Sequence, residues 1–266
     1  MNNIQNAQLL RDNCSALIAQ LNNLGFTEIN SRTPLSIIAE YMQWAGGLRD
    51  IQLATINKKT GEYVYYSEQE WSSISASEKA SVISIGLRIR AECRDFILSK
   101  GYVKQADGST LITWGDSTTD IPGLKTYGPG STGILNDFDS KGNTNLILEC
   151  SKGYQIEFKA AEHARAYKAS TVADGGYDDI TEWDMPTVAQ MILWYKYKKQ
   201  INDALSFFFG ASAQLIVDGY HWTSNEASTT YAFAMSILHG IYLPQPKWGN
   251  YYVRSVADVP TSDSKT

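Results

Sequence analysis

Trp183-Asp184-Met185-Pro186-Thr187 opens the stretch on which the fold turns. It runs through an aromatic segment to Gly219-Tyr220-His221-Trp222-Thr223-Ser224-Asn225-Glu226 and closes on Tyr251-Tyr252-Val253-Arg254-Ser255-Val256. Four of the chain's seven Trp and seven of its sixteen Tyr lie between residues 183 and 256, which marks a compact aromatic unit to which the rest attaches. Thr187-x-x-Gln190 is a capping box directly behind Pro186, so a helix is expected to begin there, with Val188, Met191, Ile192 and Tyr195 as its buried stripe. Ile201, Leu205 and Phe208 carry a second helical stripe. Between 231 and 237 large apolar residues alternate with Ala and Ser, the pattern of a strand with one face on a core and its small residues against a close neighbour. His239-Gly240 and the segment 244–250 supply turns before a closing strand.

Working outward, residues 3–24 place Ala7, Leu10, Cys14, Leu17, Leu21 and Leu24 at spacings of 3 and 4. This reads either as an amphipathic helix on its own domain or as a short self-associating helix. The narrow seam, ringed by Asn and Gln, favours self-association and leaves dimer or trimer open. Thr33-Pro34 starts a second helix. Ile51, Leu53 and Thr55, then Asn57-Lys58-Lys59-Thr60-Gly61, then Tyr63 and Tyr65 read as a β-hairpin. Residues 67–84 look partly helical, and Ile85, Leu87, Ile89, Phe96 and Leu98 form a strand pair. A polar break at 105–110 separates this small α+β module from the C-terminal half of the chain. Residues 146–148 and 154–158 are expected as strands, and 160–169 as a short helix.

Composition sets the outer limits. The 266 residues are 43% hydrophobic and 19% charged, with room for a substantial core and no apolar run long enough to span a membrane. The net charge of -5 argues against nucleic acid as a partner, because phosphate neutralisation needs clustered Lys and Arg. No basic region precedes an apolar block near Met1, so no export signal is expected. Cys14, Cys93 and Cys150 read as reduced, small apolar residues.

Ala160-Ala161-Glu162 with Tyr167, Trp183-x-Met185-Pro186-Thr187, Ile201-Asn202, Trp222-Thr223-Ser224-x-Glu226 and Tyr252-Val253-Arg254-x-Val256 form an ordered series. It resembles the C-type-lectin-like domains of bacterial surface proteins and of phage fibre or decoration proteins, over roughly residues 111–258. Met185, Thr223, Asn225 and Ser255 depart from the usual residues. The loop Asp137-Phe138-Asp139-x-x-Gly142-Asn143-Thr144 is similar to one that precedes this series in Bacteroidales proteins. The order of Glu70-Trp71, Glu78-Lys79, Ile85-Gly86-Leu87-Arg88-Ile89 and Phe96-Ile97-Leu98 resembles modules in virion proteins of Bacteroidales phages, including the crAss-like group. The resemblance implies an α+β chain in three parts. Residues 1–28 would be an oligomerising or anchoring helix, 29–110 a small α+β anchoring module, and 111–266 a C-type-lectin-like domain with two helices flanking antiparallel sheets. It further implies a virion surface protein assembled in the host cytoplasm, a head-fibre, decoration or tail-fibre subunit, with other virion proteins and cell-surface or mucosal glycans as partners. The alternative is a purely structural capsid or tail protein.

No nucleophile elbow, phosphate loop or Cys/His pairing is present, and no enzyme or cofactor is expected. Asp137, Asp139, Ser140 and Asn143 gather oxygens in one loop, but without a distal bidentate Glu a hydrogen-bonded turn outweighs a Ca²⁺ site. Glu226 and Asp184 could pair as glycosidase carboxylates; a structural role for Glu226, with Arg254 as partner, is the stronger expectation. Tyr242 and Trp248, with His239, are the candidate ligand residues, since an aromatic face beside polar groups suits a sugar ring. Burial of both aromatics against the sheet or a sister subunit is the competing expectation.

Overall fold

The computed structural model describes residues 47–92, 94–128, 130–169 and 182–260. The seam from Ala7 to Leu24, the second helix, Cys14 and Cys93 lie outside the described residues. The chain divides into two compact units, residues 1–50 with 89–95, and residues 51–88 with 96–266. In the described part of the first, Arg90 lies 3.3 Å from Asp50 and 3.9 Å from Asp95.

The larger unit carries two five-stranded sheets. The first is built on β1 (Leu48–Asn57), β2 (Tyr63–Tyr66), β3 (Val82–Ala91), β4 (Arg94–Ser99) and β10 (Val256–Asp258), in the order β10-β4-β3-β1-β2. The hairpin expected around Asn57 is present: Leu53 pairs with Tyr66 and Ile56 with Tyr63. The Asn57 side chain closes the turn by accepting from the amides of Lys59 and Thr60, and Gly61 takes the left-handed conformation (φ 71°) that the exit requires. Two short helices bridge β2 to β3, α1 (Glu68–Ser73) and α2 (Ala76–Ala80). Each starts at a reciprocal Ser-x-x-Glu box, Ser67 with Glu70 and Ser75 with Glu78.

The second sheet runs β5-β9-β6-β7-β8, from β5 (Leu111–Thr113), β6 (Tyr220–Ser228), β7 (Tyr231–Ser236), β8 (Ile241–Pro246) and β9 (Asn250–Tyr252). Its pairings are antiparallel except between β6 and β9, which are parallel. Four further helices accompany it: α3 (Ser140–Tyr154), α4 (Lys159–Arg165), α5 (Val188–Lys196) and α6 (Lys198–Phe209). With helices and sheets in separate blocks along the chain, the fold class is α+β.

Two tryptophans organise the main core. The Trp114 indole donates to the Thr223 carbonyl and the Trp222 indole to the Ile112 carbonyl, both at 2.8 Å, so each ring buries its apolar area without stranding its N–H. Ala234 pairs with Trp222 across β6 and β7, and Ala232 and Ala234 join the same cluster, which is why small residues alternate there. Phe158, Met185, Val253 and the alanines of α4 complete it.

Several expectations need correction. Residues 146–148 lie inside α3, not in a strand. Its buried positions, Asn143, Thr144, Ile147 and Cys150, keep helical spacing, but two of them are polar and concealed the stripe. Tyr154 ends that helix, and Gln155 turns left-handed (φ 56°), so residues 154–158 form no strand. The Thr187–Gln190 box is realised, with reciprocal bonds of 2.9 and 3.3 Å. The buried set of α5 is broader than the expected stripe, however. Leu193 and Trp194 are buried and Tyr195 is exposed, because this short helix is covered on most of its circumference. The division expected at residue 110 is crossed by the last strand, since Val256 pairs with Leu98 and Ala257 with Ile97.

Asp184 holds that crossing strand. Its backbone exchanges two hydrogen bonds with Val256, of 2.7 and 2.9 Å, and its carboxylate meets Arg165 at 2.5 Å. Arg165 also donates to the Trp183 carbonyl, Asn145 and Glu182. Burial dominates this carboxyl and, against the pull of Arg165, raises its pKa from 3.8 to about 6. A raised folded-state pKa stabilises the protonated form, so this contribution is full below the ordinary aspartate range and is lost as pH climbs through about 6. Relative to wild type, Asp184→Asn is therefore expected to gain stability between pH 4 and 7. The gain should be on the order of 3 kcal/mol, measured as the difference between the two urea midpoints across that range.

Candidate functional site

Trp248 stands 59% exposed in the turn between β8 and β9, next to Lys247, whose side chain is fully buried. The backbone on either side is tied down. The Lys247 amide donates to the Thr230 carbonyl (3.1 Å), and the Gly249 amide to the Pro246 carbonyl (2.8 Å). The Lys247 carbonyl accepts from the amides of Trp114 and Gly115. Gly115 is required there: a Cβ would fall 2.6 Å from the Phe158 Cα.

The Lys247 side chain runs inward, and its ammonium lies 2.5 Å from Glu226 Oε1, with both side chains fully buried. It sits 4.7 Å over the Trp114 ring and donates to the Thr119 carbonyl at 3.5 Å. Burial raises the Glu226 carboxyl above its ordinary range, against the opposing pull of Lys247. Arg254, the expected partner of Glu226, instead donates to the carbonyls of Ser99 and Gln214.

A groove of about 330 Å³ adjoins the turn, lined by Thr113, Gly115, Asp116, Ile156, Glu157 and Lys159. Thr113 pairs with Asn250 and Gly115 bonds to Lys247, so the groove wall flanks Trp248 on both sides in sequence. Glu157 is 72% exposed and forms a surface pair with Lys159 at 3.3 Å. Burial alone would raise the Asp116 carboxyl, yet hydrogen bonds from Thr118 and Thr119 outweigh it and hold the group below its ordinary range. An exposed indole beside exposed carboxylates can stack on the C–H face of a sugar and accept from its hydroxyls.

The other two candidate residues do not join Trp248. Tyr242 is half-buried and packs against Phe233 at 6.0 Å, and His239 is exposed in the turn between β7 and β8. Tyr242 and Trp248 are six residues apart along an extended segment, about 20 Å at the usual strand rise.

Asp137 is engaged by the protein itself. One carboxylate oxygen accepts from Tyr127 Oη (3.0 Å), Asn143 Nδ2 (3.1 Å) and Asn225 Nδ2 (2.7 Å), and the other from the Asp139 amide. Asp139 caps α3 by accepting from the Gly142 amide, and the Asn225 carbonyl oxygen accepts from the Val188 amide at the start of α5. A cation at Asp137 would have to displace three aligned donors. Burial, then the Asp137 charge, pushes the Tyr127 phenol up to about 12. Among the described residues no group of three or more His, Cys, Asp and Glu could hold a metal ion, and no helix is long and apolar enough to cross a membrane.

Glu226 and Asp184 do not act as a pair, since each is committed to its own cation. His221 is buried in β6 with Nε2 2.9 Å from Tyr102 Oη, and burial lowers its pKa to about 3, which keeps it neutral. Sequence reasoning missed Lys247, Arg165 and Asn225. A lysine set between Pro246 and Trp248 was the available signal for the first; an arginine closing an Ala-rich helix was that for the second.

No family model matches this chain, and no curated protein does. A fimbrial protein from Bacteroides ovatus is a distant structural neighbour, 10% identical, with a TM-score of 0.42 over 62% of this chain and 36% of that one. A likeness this slight assigns neither fold family nor role.

Lys247→Met is expected to destabilise the chain by about 3–5 kcal/mol, because it leaves Glu226 buried without its counter-ion. Denaturant unfolding checks this. Lys247→Met with Glu226→Met should recover most of that loss. A single variant within about 1 kcal/mol of wild type, the worth of an exposed pair, would contradict the assignment.

Proposed function

We propose that this chain is a non-enzymatic virion protein, a head-fibre, decoration or tail-fibre subunit. Its residues 111–266 would form a C-type-lectin-like domain that presents Trp248 to host or mucosal glycans, and its N-terminal residues would anchor it and bring copies together. The observation that carries this reading is the pairing of an exposed indole with a buried lysine in one turn. Burying a charge is costly, and here it secures a side chain that itself packs on nothing in the core. Rigid presentation of an aromatic lowers the ordering cost of binding. The use of the buried acids supports display over chemistry, since Asp184 and Glu226 each face a single structural cation.

The lectin-like reading is supported by where the resemblance residues sit. Trp183, Met185, Thr187, Trp222, Glu226, Val253 and Arg254 are all buried, at joints of the fold. A second reading, a purely structural capsid or tail protein, is favoured by one feature. Leu238, Ile241 and Leu243 expose apolar side chains at the edge strand β8 and the turn before it, as a protein contact would require.

A glycan array with wild type and Trp248→Ala separates the two. Adhesion through Trp248 is expected to appear as binding that the variant loses, with stability changed by no more than about 0.5 kcal/mol. Absence of any bound glycan, or binding unchanged in the variant, would favour the structural reading.

A further inference from the structure

A second cavity, of about 650 Å³, opens among the residues that follow β4, the residues at and after the end of α4, and the end of α6. Its size falls in the range of small-ligand pockets, roughly 300–1,000 Å³. Its charge is one-sided. Lys100, Lys104, Lys168 and His163 line it and no Asp or Glu does, although acids outnumber Lys and Arg by 28 to 23 in the whole chain. A concave surface with basic groups of one sign over poorly polarisable walls focuses the field and draws anions to it.

The walls supply the rest of a recognition surface. Tyr167 and Phe209 present partly buried rings to the cavity. Tyr167 is held by the Gly101 amide, which donates to its hydroxyl at 3.1 Å. Gln214 accepts from the Tyr102 amide through Oε1 at 2.7 Å, which directs its carbonyl inward and leaves the amide NH₂ as a donor at the wall. Behind that wall the guanidinium of Arg254, fully buried, lies 5.2 Å from the Tyr102 ring and donates to the Gln214 carbonyl at 2.6 Å, so Gln214 is fixed from two sides.

Basic groups, flat rings and an amide donor together match a ring-shaped anion that also carries hydroxyls. We propose that this cavity binds the acidic sugar units of a glycan, a uronate, sialate or sulfated residue. The carboxylate or sulfate would lie among Lys104, Lys168 and His163, the ring against Tyr167 or Phe209, and a hydroxyl on Gln214. Charged hydrogen bonds of this type supply more of the affinity than neutral ones, and they make it salt-dependent. The site stands apart from the Trp248 turn, and neither depends on the other.

Amide chemical-shift titrations of the full-length protein with galacturonate, N-acetylneuraminate and galactose 6-sulfate test the proposal, with galactose and sodium sulfate as controls. At least one acidic sugar is expected to bind about tenfold more tightly than either control, the scale of one charge-assisted hydrogen bond. Lys104→Glu with Lys168→Glu should weaken that binding by a similar factor. Lys104→Ala, at an exposed position, should move it in the same direction, and Trp248→Ala should leave it unchanged. The proposal is overturned if no acidic sugar exceeds galactose, if bare sulfate binds as well, or if the charge-reversed protein binds like wild type. It is also overturned if binding appears only after Asp174, Asp178 and Asp179 are changed to Asn, which would give the lysines to the chain's own acidic stretch.

Discussion

Lys247 has no surface in water, and its ammonium lies against one carboxylate oxygen of Glu226, the Thr119 carbonyl and the face of Trp114. Moving such a charge out of solvent is costly, and the Coulomb attraction to Glu226 repays it only while every partner keeps its place. The pair therefore ties the turn after β8 to the middle of β6 and to the residue that follows β5. The Lys247 carbonyl extends the same constraint by accepting from Trp114 and Gly115. What this geometry leaves outside is Trp248. A tethered turn that directs one indole outward suits contact with a partner surface, and the acids nearest the core serve as counter-ions, with none left to act as a general acid or base.

A similar logic closes the fold at its C-terminus. Val256 lies between Asp184, whose backbone it meets at 2.7 and 2.9 Å, and Leu98 of β4, so three distant parts of the sequence converge on one short strand. Arg165 gathers Asp184, Glu182, Asn145 and the Trp183 carbonyl around that junction. Asn225 does the equivalent work on the other flank of β6, linking Asp137 to the first turn of α5. Each polar side chain with several partners sits where two elements must keep a fixed spacing.

Local signals in the sequence were legible where the physics was local. The Thr187–Gln190 box, the Asn57–Gly61 hairpin and the Ala/large alternation of β7 depend on neighbours within a few residues, and all three appear as expected. The helix α3 was read as a strand because Asn143 and Thr144 occupy buried positions that apolar periodicity does not register. Lys247 was invisible for the same reason, since a lysine is read as surface until the carboxylate that neutralises it is located 21 residues upstream. Trp248 was picked out on its chemistry alone. Its proposed partners Tyr242 and His239 were grouped with it by sequence proximity, which an extended strand converts into distance.

Native-state amide hydrogen exchange at Trp114, Lys247 and Gly249 measures directly whether the buried ion pair makes the Trp248 turn rigid. If it does, these amides should open only with the strands of the second sheet, with protection close to that of Trp222 and Ala234. Exchange as fast as that of the exposed loop at 106–108 would contradict the claim, and Trp248 would then be a side chain on a loose loop.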